Sequence, residues 1–174
     1  MFDIITDSFL FDLYYGGKSA SEVLEDGDTP STEKTIPPVT EETPAFRNIY
    51  VKNLVSRNAR RAMFFNGLPE MNITNINVEN AIITAKLGAE LCESANIHFN
   101  NVKIIPQEGP ALILKNVKDM QLKDFAFPDS LSITISIEGK ETKNISWPEN
   151  ISKEKVNIQN DVNPSEIINH SSQQ

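Results

Sequence analysis

Arg57, Arg60 and Arg61 form the one basic cluster in a chain of 174 residues with 24 acidic and 16 basic side chains and a net charge of −8. A guanidinium presents a planar fork that grips a carboxylate through two parallel hydrogen bonds, so the cluster suits an acidic ligand such as a uronate. Solvation, or ion pairing with Glu70 or Glu90 on neighbouring rungs, is the favoured reading of the same arginines. Glu90 and Glu93 flank Cys92 and raise the idea of an acid–base pair. Residues three apart on a strand point to opposite faces, so the two are not expected to share one opening. Cys92 is the single Cys, which excludes an internal disulfide framework and a Cys-based zinc site; it reads as a small buried apolar residue. His98 and His170 lie far apart, and no triad or metal box can be assembled around them. Asp26 and Asp28 sit in a Glu-Asp-Gly-Asp stretch that lacks the further oxygen ligands of a calcium loop. No metal and no cofactor is expected. The sequon Asn72-Ile73-Thr74 matters only in a glycosylating host.

Composition narrows the setting without naming a chemistry. Hydrophobic residues make up 39% and charged residues 23%, which fits one globular domain. No run approaches the roughly 18 apolar residues that a bilayer crossing needs, so no membrane partner is expected. The acidic balance disfavours a nucleic-acid partner, because a phosphate-backbone reader needs a concentrated positive face. Met1 to Leu10 has no basic stretch leading an apolar one and does not read as a signal peptide.

The elements that must position these side chains are legible as a repeat. Asn48-Ile49-Tyr50-Val51-Lys52-Asn53-Leu54 recurs as Asn75-Ile76-Asn77-Val78-Glu79-Asn80-Ala81, as Asn96-Ile97-His98-Phe99-Asn100-Asn101-Val102 and as Asp119-Met120-Gln121-Leu122-Lys123-Asp124-Phe125. A partial fifth copy is Asn144-Ile145-Ser146-Trp147. The leading residues are spaced by 27, 21, 23 and 25, and the second column keeps the same register. Apolar and polar residues alternate inside each copy, which is strand periodicity. Short strands on a period of roughly 20 to 30 residues with almost no helix signal point to an all-β, parallel β-helix (β-solenoid) of about five rungs. A leucine-rich repeat shares the period but needs a Leu-x-x-Leu-x-Leu core that is missing.

Asn tolerates the left-handed backbone of a tight corner. Asn53, Asn80, Asn101 and Asp124 are therefore expected to form a structural ladder at one corner, with solvent-facing turn residues as the alternative. The coil is expected over residues 1–147, interrupted by a long Gly-, Pro- and acid-rich loop at 16–44. Residues 148–174 lack any period and read as a polar tail.

Phe11-Asp12-Leu13-Tyr14-Tyr15-Gly16-Gly17-Lys18-Ser19, then Thr43-Pro44-Ala45-Phe46-Arg47-Asn48-Ile49, and then Arg60-Arg61-Ala62-Met63-Phe64-Phe65-Asn66-Gly67-Leu68-Pro69-Glu70 resemble the carboxy-terminal rungs of polygalacturonase-like enzymes, glycoside hydrolase family 28. The resemblance spans roughly residues 2–127. It implies a right-handed parallel β-helix, inverting hydrolysis of pectic or other uronic-acid polysaccharide, and an exported protein. Inversion needs one carboxylic acid and one carboxylate about 6.5–9.5 Å apart. The family motifs that supply and assist them, Asn-Thr-Asp, Asp-Asp, Gly-His-Gly and Arg-x-Lys, are all absent from the 174 residues. The chain is thus expected to be a truncated coil with no catalytic residue. The spacing Asp12-Leu13-Tyr14-Tyr15 places Tyr15 in the family's sugar-contacting role, beside Arg60 and Arg61 as substrate-binding candidates.

Two functions are therefore weighed. One is the non-catalytic carboxy-terminal part of a polygalacturonase-like hydrolase, whose polysaccharide partner requires the remaining rungs. The other is a β-solenoid carbohydrate-binding or self-assembling scaffold, with a homo-oligomer forming through an open first rung that displays Phe2, Ile4, Phe9 and Phe11.

Overall fold

Between Ile73 and Ala126 the backbone stays extended for 54 residues. A straight strand of that length would run roughly 180 Å, so the chain must turn repeatedly while keeping its strand pairing. It does so at single residues. The computed structural model describes residues 5–14 and 36–167, and in them twelve non-glycine residues have positive φ. Nine are Asn, two are Asp and one is Glu. Asn is the residue whose short side chain bonds locally and best tolerates the left-handed region, so the corners fall where the repeat places it.

The result is a parallel β-solenoid of about four turns, the copy at Asn144 opening a last incomplete coil. Its strands are β1 (Asp7–Asp12), β2 (Arg47–Asn66), β3 (Ile73–Ala126), β4 (Ile135–Glu138), β5 (Lys143–Ser146) and β6 (Val156–Ile158). All pairings are parallel. One face stacks β1 on residues 61–66, these on residues 87–92, and further down Leu112–Lys115 on β4 and β4 on β6. A second face stacks Ile49–Lys52 on Ile76–Glu79 and, lower, Met120 on Ile145. A register shift between Ser56 and Ala59 absorbs extra residues of the longest repeat. There the Asn58 N–H finds the Thr84 hydroxyl at 3.1 Å.

Inward side chains stack in columns. Phe65, Leu91, Leu114 and Ile137 form one, and Ile76, Ile97, Met120 and Ile145 another, all essentially buried. Phe11 continues the first column, its ring 4.9 Å from that of Phe65. Burying each such side chain contributes about 1.5–3 kcal/mol. Of the four aromatic and aliphatic residues expected to be displayed by an open first rung, Phe9 and Phe11 are half-buried against this core instead. Phe2 and Ile4 lie outside the described residues, as does most of the loop expected at 16–44.

The sheet does not stop at residue 147. β6 pairs with β4, and Trp147, Ile151 and Val162 are buried beneath the last turn. Asn150 donates to the Phe125 carbonyl at 3.1 Å, and Gly139 N–H to the Asp161 carboxylate at 3.0 Å. The segment read as a polar tail is, up to residue 167, a cap. Its strand has three residues, too short for a period to show in sequence.

The corner side chains hydrogen-bond from turn to turn in one sense. Asn75 Nδ2 donates to Asn48 Oδ1 (2.9 Å) and Asn144 to Asp119 (2.7 Å) in the first column; Asn80 donates to Asn53 (3.3 Å) and Asn101 to Asn80 (2.8 Å) in the second. These residues are exposed and ladder-forming at once. Asp124 shares the corner conformation, with φ 52, but its carboxylate has no N–H for Asn101 and cannot extend the ladder. Replacing Asp124 by Asn is expected to stabilise the fold by about 0.5–1.5 kcal/mol, one net hydrogen bond. Asn80→Ala should cost about 2–3 kcal/mol and Asn80→Gly about 1 kcal/mol, because glycine removes the left-handed strain and leaves only the lost bonds. Urea denaturation of the three variants measures both effects.

Candidate functional site

The first face carries a chain of charged residues that reaches across the turns, partly level and partly diagonal. Arg61 Nε donates to Asp7 on β1 at 2.8 Å and its Nη1 to Glu90 at 2.9 Å. Glu90 also accepts from Lys115 Nζ at 3.0 Å, and Lys115 lies 3.9 Å from Glu138 on β4. Strands about 4.8 Å apart bring these groups into contact, so the signs must alternate, and they do. The Arg61 guanidinium rests 3.6 Å above the Phe64 ring, and its side chain is only 18% exposed. Burial works against the Lys115 charge, but the hydrogen bond and charge of Glu90 prevail and raise its pKa.

Arg61 is therefore engaged within the protein, with Glu90 as one partner. Arg60 differs. Its backbone N–H meets the Thr6 carbonyl at 2.9 Å, and the residue is exposed. Arg57 is exposed as well, though not free of partners. Tyr15 lies outside the described residues. Its neighbour Tyr14 is half-buried, its N–H bonded to the Asp12 carboxylate at 3.0 Å. Burial, then the charges of Glu70 and Glu93, hold the Tyr14 hydroxyl above the usual phenol range.

Glu93 sits at the third corner with φ 45, where the next turns place Asn116 and Gly139. Its carboxylate accepts from Asn116 Nδ2 at 2.6 Å and Asn72 Nδ2 at 3.2 Å. Above it Gly67 leaves the room the turn requires, since a Cβ there would collide with the Glu93 carbonyl oxygen. Burial raises the Glu93 pKa against the opposing pull of those two amides. Glu90 and Glu93 thus belong to separate networks. Cys92 lies between them with its thiol pushed up to about 12 by burial and the Glu90 charge, which keeps it protonated and unreactive at neutral pH. Asn72 uses its amide on Glu93 and on the Leu68 carbonyl, so the sequon is committed to this corner. Asp26, Asp28 and His170 lie outside the described residues.

The second face carries the Lys52–Glu79 ion pair at one side and a run of uncharged polar residues beside it. Tyr50 stands beside Asn77, and Gln121 beside Ser146. His98 lies between, its Nε2 2.7 Å from Asn96 Oδ1 and its Nδ1 3.4 Å from Gln121 Oε1. Both ring nitrogens face carboxamide oxygens, and Nε2, at the shorter distance, is the better-placed donor. A depression of about 490 Å³ opens here, lined by His98, Asp119, Met120, Gln121, Asn144 and Ser146 with Asn96. Sequence reasoning passed over His98 as an isolated histidine; its place in the third repeat, level with Tyr50, Asn77 and Gln121, was the available signal. The charged row was harder to read, because Arg61 is level with Leu87 and Glu90 with Phe64; only Asp7 with Arg61 and Lys115 with Glu138 fall at matching points of successive turns. Among the described residues no cluster of His, Cys, Asp and Glu is arranged to hold a metal ion.

Comparison with protein-family models, with curated proteins and with solved structures finds no match for this chain.

Two outcomes follow, one from the charged residues of the first face and one from the Glu93 corner. Arg61→Ala is expected to destabilise by about 3 kcal/mol, as removal of one partner leaves part-buried carboxylates unpaired. Glu93 has a folded-state pKa above its unfolded value, so the folded state holds the extra proton, and stability falls as pH rises through the carboxylate range. Glu93→Gln should remove that part of the slope, read from urea midpoints between acidic and neutral pH. An unchanged slope would contradict the assignment.

Proposed function

We propose that this chain is the capped, non-catalytic carboxy-terminal portion of a polygalacturonase-like solenoid that acts on pectic or related uronic-acid polysaccharide by inverting hydrolysis. The observation that carries it is the difference between the two ends. The carboxy-terminal end is closed by Trp147, Ile151, Val162 and β6. At the other end, no strand among the described residues pairs with the outer edge of Ile49–Lys52. There Asn48 and Asn53 have given their Oδ1 atoms to the turn below and keep an Nδ2 to donate upward. A further rung bearing corner acceptors is what that edge fits.

Inversion requires an acid and a carboxylate flanking one glycosidic bond; in this proposal the rungs contributed from elsewhere hold them. This chain's own contribution is to extend the first face, where Arg60 is exposed to grip a uronate carboxylate and Arg61 is held beside it. The unpaired edge also bears on self-assembly. A second copy cannot supply the missing acceptors, since its carboxy-terminal end is covered and two amino-terminal edges would meet donor to donor. A monomer is expected in sedimentation at high concentration.

Electrophoresis through gels containing polygalacturonate tests the proposal. The chain is expected to be retarded in a salt-sensitive manner, to release no reducing ends, and to lose up to about fivefold in affinity on Arg60→Ala, the worth of one exposed charge contact. Mobility equal to that in a gel without polysaccharide would remove the uronic-acid ligand. Release of reducing ends would remove the non-catalytic assignment.

A further inference from the structure

The corner ladders are one-way, each Nδ2 donating to the Oδ1 of the turn before. Asp119 and Asp124 interrupt both columns in the same turn, because a carboxylate only accepts. In the second column this sets Asn101 Oδ1 toward Asp124, acceptor toward acceptor. In the first column it sets Asn96 Oδ1 toward Asp119 at the depression of about 490 Å³ on the second face.

His98 relieves part of that mismatch, its Nε2 lying 2.7 Å from Asn96 Oδ1 as the better-placed donor. Asp119 keeps spare lone pairs. It accepts from Asn144 alone, and no Lys or Arg forms an ion pair with it among the described residues. Around it stand the Gln121 carboxamide and the Ser146 hydroxyl. A carboxylate, carboxamides, an imidazole and a hydroxyl on a rigid, open, strand-built surface match the alternating donors and acceptors of vicinal hydroxyl groups. The uncompensated Asp119 charge repels a uronate. A metal ion would find one carboxylate and one imidazole, and among the described residues no cluster of His, Cys, Asp and Glu is arranged to hold one. Further along the same column Tyr50 is 70% exposed, a ring free to stack on the apolar face of a sugar.

We propose that the depression at His98 and Asp119 binds a neutral saccharide through its vicinal hydroxyls, with the saccharide chain running across the turns toward Tyr50. Asp119 accepts from two hydroxyls, Gln121 and Ser146 bond a third, and Tyr50 stacks on a ring further along. This face is separate from the row of Asp7, Arg61 and Glu90, and the site does not depend on the polygalacturonase-like assignment.

Asp119→Asn separates binding from folding. The new carboxamide would donate to Asn96 and accept from Asn144, completing the ladder and leaving little for a ligand. Titration calorimetry of the full chain against neutral galactose, arabinose, xylose and glucose oligosaccharides, alongside thermal melts, reads both. The expected result is binding of at least one neutral oligosaccharide, weakened about tenfold or more by Asp119→Asn while the melting temperature rises. Tyr50→Ala, at an exposed position, should weaken long oligosaccharides more than monosaccharides and leave the melt unchanged. The proposal is overturned if no neutral saccharide of the panel binds, if Asp119→Asn binds as the parent does, or if only divalent cations or polygalacturonate bind.

Discussion

One constraint organises this molecule: a strand that turns on a single left-handed residue must recruit side chains that tolerate that conformation and satisfy one another. Asn does both. Its backbone accepts positive φ with little penalty, and its carboxamide is donor and acceptor at once, so stacked copies pair indefinitely. The other parts of the fold inherit their spacing from these corners. Core columns such as Phe65, Leu91 and Leu114 align because the corners align. Had the corners slipped by one residue, every alternating side chain would have exchanged core for solvent.

The same rule explains where the surface becomes chemically uneven. An Asp in the ladder is compatible with the turn but not with donation, and two of them in one turn divide both columns at one level. Glu93 is a second exception, a longer carboxylate at positive φ held by Asn72 and Asn116. On the first face the repeat produces a different outcome, since a fixed separation between turns obliges neighbouring charges to alternate from Asp7 to Glu138. Surface chemistry here is set turn by turn, with the backbone as a ruler.

Much of this was readable from the residues. Two Asn/Asp columns in register, with strand-like alternation inside each copy, marked the solenoid and its corners. The corner at Glu93, Asn116 and Gly139 escaped notice because three different residue types meet one backbone demand there, so no column of identical letters appears. The cap escaped notice because β6 is brief and its burial rests on Trp147, Ile151 and Val162, which are scattered through polar sequence. The pairing of Arg61 with Glu90 was foreseeable as an alternative, whereas its second partner Asp7 was hidden by the long connection between β1 and β2. Polysaccharide as the ligand class entered through the motif resemblance around Asp12-Leu13-Tyr14 and Arg60-Arg61.

The central claim, a one-way amide ladder at left-handed corners, is tested most directly by hydrogen exchange of the Asn side-chain NH2 groups in the native protein, resolved by NMR. Slow exchange is expected at Asn75, Asn80, Asn96, Asn101 and Asn144, whose Nδ2 atoms donate within the ladder, and fast exchange at Asn48 and Asn53, which begin the two columns. Equal and rapid exchange at all seven would contradict it.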